Sequence, residues 1–165
     1  VGELSTISAC VGILTHYLAE HEELQRQLRE TPSLLPNAID EILRIHPPLI
    51  SSRRKTTQSV AIDGCLIPAG ERVTIMWASA NRDEHVFGDP DEFWPDRDPA
   101  QNLLYGAGIH VCPGAPLARL ELRVLLEELL RRSRLLVLSP GKKSVRAVYP
   151  GRGFSSLPVR IDWAG

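Results

Sequence analysis

The apolar positions of this chain fall into two kinds of period. From about Leu4 to Ala19, and again from Leu117 to Arg131, they recur every three or four residues, the spacing of an amphipathic helix. His21 to Arg29 continues the first stretch as a charged second helix after a short break. Thr31-Pro32-Ser33 predicts a turn, and it leads to a helix around Glu41 in which Ile39, Ile42 and Leu43 are available to a core. Pro47 ends that helix, because the residue before a proline is pushed out of the helical region. Short runs at Ser51–Thr56, Val60–Ile62 and Arg72–Trp77 predict strands around the Asp63-Gly64 turn. Between Val86 and Asn102 the density of Pro, Asp and Phe predicts an ordered but irregular meander. The strongest helix carries Leu122, Leu125, Leu126 and Leu129 as a stripe, and strands recur at Arg134–Leu138 and Pro158–Asp162. The pattern is mainly α with small β-sheets, without internal repeats or low-complexity segments.

At 165 residues and 43% hydrophobic content the chain is long enough for one domain with a core. A net charge of −1 gives no electrostatic case for nucleic acid. Arg131, Arg132 and Arg134 form only a short basic cluster at a helix end, where cations complement the dipole. The plain reading is a solvated terminus. The functional one adds Arg119 and Arg123 and makes a docking face for an acidic partner. No run approaches the ~20 apolar residues of a membrane span, and no secretory signal is visible. Three widely spaced cysteines without a C-x-x-C support neither a disulfide framework nor a zinc site. A cytoplasmic protein that touches neither nucleic acid nor membrane is expected.

The stretch from Leu103 to Arg119 carries the chemistry. It is a glycine-studded loop that delivers Cys112 to the start of an apolar-periodic helix. Gly106, Gly108 and Gly114 remove side chains where the backbone bends tightly or approaches a flat ligand, and Pro113 and Pro116 suit a first helical turn. A thiol beside that positive helix end ionises more readily than a free one, as a metal ligand must. For Cys10 and Cys65 the default reading is a buried free cysteine.

A second constellation is Glu41 and Arg44, three apart on one helix face, followed later by Phe93-Trp94-Pro95-Asp96-Arg97. Alone, such an acid and arginine are a surface pair worth ~0.5 kcal/mol. Together with the loop they make the chain resemble the cytochrome P-450 family. The family signature, aromatic-Gly-x-Gly-x-(Arg/His)-x-Cys-x-Gly, is matched at Tyr105, Gly106, Gly108, His110, Cys112 and Gly114, and its Ala-x-x-Leu-Ala-Arg-x-Glu continuation by Ala115, Leu117, Ala118, Arg119 and Glu121. Tyr105 stands where the family usually has Phe, which keeps a ring beside the sulfur and adds a hydroxyl needing a partner. Glu41, Arg44 and Arg97 look like the family's structural Glu-Arg-Arg triad, with a supporting role.

The resemblance implies one partial domain, the C-terminal haem-binding portion of the cytochrome P-450 fold. Residues 1–30 would be the end of the distal helix and the helix after it, 34–46 the Glu-x-x-Arg helix and 50–78 a small β region. The meander would fill 79–102, the cysteine-ligand loop 103–114, the proximal helix 115–133 and C-terminal strands 134–165. Val1 rather than Met opens the chain, so it reads as a cut piece, a processed product or part of a longer polypeptide. Exposed apolar surface, and with it a missing N-terminal segment or an oligomer, is expected.

The resemblance also implies haem b, iron protoporphyrin IX, with the Cys112 thiolate as axial ligand and Tyr105, Gly106 and Gly114 beside it. Such a thiolate pushes electron density toward the opposite face and favours O–O cleavage. Arg54 and His110 would anchor the propionates. Arg53 is next door, but successive strand residues face opposite ways, so only one should reach the haem. For His110 the alternative is a histidine capping loop carbonyls. On the distal side the family commonly shows Ala-Gly-x-(Asp/Glu)-Thr, and the closest register is Val1-Gly2-Glu3-Leu4-Ser5-Thr6. Leu4 then occupies the acid position, and Glu3 points about 100° around the helix. Ser5 or Thr6 would be the catalytic proton donor; the other reading makes them helix N-terminal residues without catalytic meaning.

Two functions stay open. One is a haem-thiolate monooxygenase, or its haem-ligating part, inserting one oxygen atom from O2 into a small hydrophobic substrate with electrons from a ferredoxin or flavodoxin-type donor. The other is a non-catalytic truncated haem-binding or interaction module that completes or stabilises another chain. Pro47-Pro48-Leu49-Ile50-Ser51 and the Gly153-Phe154-Ser155 turn are the segments expected to line a pocket.

Overall fold

Helix α1, Gly2–Glu20, buries Cys10, Ile13, Leu14 and Leu18 along one face, and His21 leaves helical geometry before α2, Glu22–Glu30. The structure, a computed structural model, describes residues 2–148 and 151–165, with the side chains of Gly2 and Glu3 excepted. Val1 and the direction of Glu3 therefore lie outside the described residues. After a 3-10 turn at Pro32–Leu34, α3, Leu35–Ile45, starts with Pro36 in its first turn, where a missing N–H costs nothing. It ends at His46, whose backbone leaves the helical region (φ −122°, ψ 64°) before Pro47.

The sheets are all two-stranded and antiparallel. Strand β1, Ser52–Lys55, skips over the hairpin of β2, Val60–Ile62, and β3, Cys65–Ile67, to pair with β4, Arg72–Ile75. The predicted strand through Trp77 stops at Ile75. Trp77 instead opens a single turn, α4, Trp77–Ala80, and its indole donates to Ser52 Oγ at 2.8 Å. A second single turn, α5, Glu84–Phe87, is capped by Asp83, which accepts from the His85 N–H. The meander then runs to α6, Ala115–Arg132, which begins two residues before the apolar periodicity at Leu117 because Pro116 fits its first turn.

The stripe on α6 differs from the expected one. Leu122, Leu126 and Leu130, spaced four apart, are buried, whereas Leu125 is 40% exposed. A four-residue step keeps side chains on one side of a helix, and Leu125 is one position off it. After α6 comes β5, Ser133–Leu138, which pairs with β8, Val159–Trp163, while β6, Val145–Arg146, pairs with β7, Phe154–Ser156.

Helices α1, α2, α3 and α6 and strand β5 enclose one core around Leu14, Leu18, Leu35, Ile42, Leu43 and Leu136. Gln25 stitches it. Wholly buried on the otherwise charged α2, it donates to the carbonyls of Leu18 and Leu136, each at 2.7 Å, and accepts the Leu136 N–H at 3.0 Å. A side-chain amide here satisfies both main-chain groups of a strand residue, which buried alone would cost about 1–3 kcal/mol each. The expected exposed apolar surface is present: Leu4, Ile109, Leu117, Leu120 and Val124 all face outward. No helix among the described residues is long and apolar enough to cross a membrane.

Candidate functional site

Glu41 sits on α3 one turn before the helix ends, 4% exposed, and four hydrogen bonds converge on it. Arg44, 1% exposed, donates from Nε to Oε2 at 2.7 Å and from Nη2 to Oε1 at 2.9 Å. Arg97 donates from Nε to Oε1 at 3.0 Å, and so does the Trp94 N–H at 3.2 Å. The arginines' remaining N–H groups reach main-chain carbonyls, Arg44 those of Asn81 at 2.6 Å and Pro90 at 2.8 Å, Arg97 those of Phe87, Asp89 and Glu92. Arg44 also stacks over Phe87, and Arg97 over Trp94. A pair that spacing alone makes a surface contact is thus a buried three-charge knot, and it holds the meander by its carbonyls.

The knot continues into the cysteine loop through Asn81, a fully buried residue to which the sequence assigns no role. Its carbonyl takes Arg44, and its side-chain Oδ1 accepts the Leu103 N–H at 2.8 Å, the first residue of the loop. Asn102 beside it donates to the Asp40 carbonyl at 3.2 Å and accepts the Leu104 N–H at 2.9 Å. The loop turns at Gly106, whose φ of 75° suits glycine, and the Cys112 N–H then donates back to the Tyr105 carbonyl at 2.8 Å. Cys112 is exposed three residues before α6, and a Cβ on Gly114 would lie 3.8 Å from its sulfur. His110 ends the short 3-10 turn Gly108–His110 and is exposed.

The Tyr105 ring lies under the Arg119 guanidinium at 4.5 Å, and Arg119 in turn pairs with Asp40 at 2.9 Å. Burial, then the Asp40 charge, pushes the Tyr105 hydroxyl well above its ordinary range; burial likewise raises Asp40, against the pull of Arg119. This link between α3, the loop and α6 carried no sequence signal, since its three members are far apart in the chain. On the outer face of α6 the arginines are matched locally: Arg123 with Glu127, and Arg131 and Arg132 both with Glu128, which they hold down at about 2. That favours the plain reading of the cluster as a solvated helix end.

Strand β1 alternates as expected, with Arg53 and Lys55 exposed and Arg54 half-buried on the other face. Arg54 Nη1 donates to the Arg53 carbonyl at 2.9 Å, and its Nε is buried with no hydrogen-bond partner. Ser5 and Thr6 lie in the first turns of α1, both exposed. The residues just before the Gly153-Phe154-Ser155 turn meet the Pro47–Ser51 segment. Leu49 bridges to Gly151, and the Arg152 N–H donates to the Pro48 carbonyl at 2.9 Å.

A model of the cytochrome P450 family matches residues 7–163. Cytochrome P450 119 of Sulfurisphaera tokodaii is 45% identical over 127 residues, 77% of this chain and 34% of that protein. Cyclomarin C epoxidase CymV of Salinispora arenicola is 43% identical over 115 residues, 70% of this chain and 29% of that one. The fold superposes on CYP109E1 from Bacillus megaterium in complex with corticosterone with a TM-score of 0.90 at 31% identity, covering 98% of this chain and 43% of that structure. The chain spans about a third of the length of the curated relatives it matches. Haem held by a cysteine thiolate is the family's general property, and this chain, with a partial form of the fold, belongs to the cytochrome P450 family.

Proposed function

We propose that this chain is the haem-ligating part of a monooxygenase, with Cys112 as the iron's axial ligand. The observation that carries the reading is the placement of one exposed thiol at the start of α6, on a loop braced through Asn81 to the Glu41 knot. Among the described residues no three His, Cys, Asp or Glu side chains gather to chelate a metal. A single sulfur suits an ion whose remaining ligands arrive with a cofactor.

The residues present fit haem in three further respects. Gly114 leaves the flank of the sulfur without a side chain. Ile109 and Val111, exposed beside Cys112, offer apolar contact to a flat macrocycle. The partnerless buried Nε of Arg54 is a donor in want of an acceptor, as a propionate would supply. His110, exposed on the loop, is the second anchor. When bound, the haem supplies O2 activation, with the thiolate favouring O–O cleavage. Ser5 or Thr6 would hold a proton for the distal side, and the knot would keep the loop that carries Cys112 in place through Asn81.

The domain boundaries read from the sequence, 1–30, 34–46, 50–78, 79–102, 103–114, 115–133 and 134–165, belong to this same proposal, as do a small hydrophobic substrate and a ferredoxin or flavodoxin-type donor. Cyclomarin C epoxidase is named for an oxidation of an organic molecule, and CYP109E1 was solved with corticosterone, which supports an apolar substrate. The test is the absorption spectrum of the reduced, carbon monoxide-treated chain after expression with haem. A strongly red-shifted Soret band, lost in Cys112→Ala, is expected. A band at the position of neutral ligands, or one that survives Cys112→Ala, overturns the assignment.

A further inference from the structure

The C-terminal half of α1, His46 just after α3, Arg146 of β6 and residues 152–154 line a cavity of about 60 Å³. At ~1.5 Å per residue His16, on its wall, stands roughly 16 Å along α1 from Ser5. The polar lining comes from Arg146, Arg152, His16 and His46, with Tyr17 and Glu20 beside them. Gly153 and Phe154 of one expected pocket segment are part of the lining, but none of the residues proposed to hold haem is.

Its cations are held in place. Arg146 pairs in register with Phe154, and its guanidinium lies over that ring at 4.6 Å. His16 stacks on the same ring, also with centroids 4.6 Å apart. Arg152 follows the Leu49–Gly151 bridge and precedes Gly153, whose backbone lies so close to α1 that a Cβ there would meet Ala9 at 3.2–3.3 Å. Side chains ordered before a ligand arrives lose little entropy when it does.

The charges do not balance. The carboxylate on the wall, Glu20, is engaged by His16 at 3.0 Å, and Arg82, which also acts on His46, is paired with Asp91 at 3.0 Å. Among the described residues neither Arg146 nor Arg152 has an ion-pair partner. His46 is faced by Tyr17 and His16 from α1 and by Arg82, Arg146 and Arg152 from the segments around it. Burial first, and then these positive neighbours, push it down to about 4. Half-buried Arg152 and exposed Arg146 share a wall whose carboxylate is already engaged by His16, and such an excess of positive charge is relieved by an anion.

We propose that this cavity binds a small oxyanion, a phosphate or carboxylate group, between the guanidinium groups of Arg146 and Arg152, with His16 and His46 as further donors. Planar guanidinium forks match such oxygens two at a time. The volume has room for a few waters, and so for a headgroup of this size. The oxyanion is either a free ion or the end of an organic acid. Bound there, it draws His46 back toward its ordinary range, so binding takes up a proton and tightens as pH falls.

The test is calorimetric titration of the purified chain with inorganic phosphate and, separately, with hexanoate, each against chloride at matched ionic strength. No haem is needed, so failure here is distinct from failure of the function proposed above. Saturable binding of phosphate identifies a free-ion site, and tighter binding of hexanoate an organic acid. In either case Arg152→Gln should weaken binding by about tenfold or more, while Arg146→Lys, which keeps the charge, should cost less. Proton NMR of the histidine rings should show the His46 titration moving upward on saturation. Binding no stronger than chloride for both anions, or binding unchanged in Arg146→Gln and Arg152→Gln, overturns the proposal.

Discussion

Replacing Glu41 by alanine should leave a protein with a loosened meander and little or no haem. One carboxylate receives two bonds from Arg44, one from Arg97 and one from the Trp94 main chain, and the first two partners are nearly as buried as Glu41 itself. Without it, two guanidinium groups face each other in the interior with no counter-charge. Breaking a buried ion pair from one side costs about 3–5 kcal/mol, a large part of a typical domain's ~5–15 kcal/mol. The damage is directional, because Arg97 and Arg44 grip carbonyls from Phe87 to Glu92, and Arg44 grips Asn81, which in turn fixes Leu103. Glu41→Gln keeps an acceptor and the shape, and should fall between. Urea midpoints and haem content of the two variants are the measurements; normal haem content in Glu41→Ala would sink the triad assignment.

Gly153→Val should be nearly as damaging for a different reason. Gly153 has φ of 109°, which valine adopts only under strain, and its Cβ position is 3.2 Å from the Ala9 carbonyl oxygen and 3.3 Å from Ala9 Cα and Cβ. Strain of about 1–3 kcal/mol adds to overpacking of about 1–3 kcal/mol, so roughly 2–6 kcal/mol of stability is at stake. The displaced parts are α1 and the Gly153 turn, one of the two segments expected to line a pocket, beside Gly151 and Arg152, which meet Leu49 and Pro48. Ala9→Gly in the same chain relieves one contact and leaves the strain, so partial recovery of the urea midpoint is expected. No loss in Gly153→Val would show that the turn yields freely.

What the sequence disclosed was periodic or local. The helices followed from three- and four-residue spacing, and the cysteine loop and the Glu-x-x-Arg helix from motifs in which each residue type has a mechanical reason. Leu125 was misplaced for Leu130 because a leucine-rich helix offers several stripes, and the sheet and α1 choose among them. Trp77 has strand propensity, yet its indole hydrogen bond to Ser52 turns the chain into α4, a tertiary preference outweighing a local one. Asn81, Gln25 and the Asp40–Arg119–Tyr105 link were illegible for a common reason. Each works through a partner remote in sequence, and a polar side chain in a window of the chain does not say whether it will be buried. The same holds for Arg146 and Arg152, which look like ordinary surface cations until the packing of Gly153 on Ala9 brings them beside α1.

The three thiols end up in three different chemical situations. Cys10 is sealed in the core, where burial pushes it up to about 12, while Cys65 sits exposed on a hairpin and Cys112 exposed in its loop. A bulky maleimide therefore sorts them by access alone, and any group that takes the Cys112 sulfur removes one of its two targets. Counting labelled sulfurs becomes an occupancy gauge that works without light absorption or turnover, with Cys65 as its internal standard.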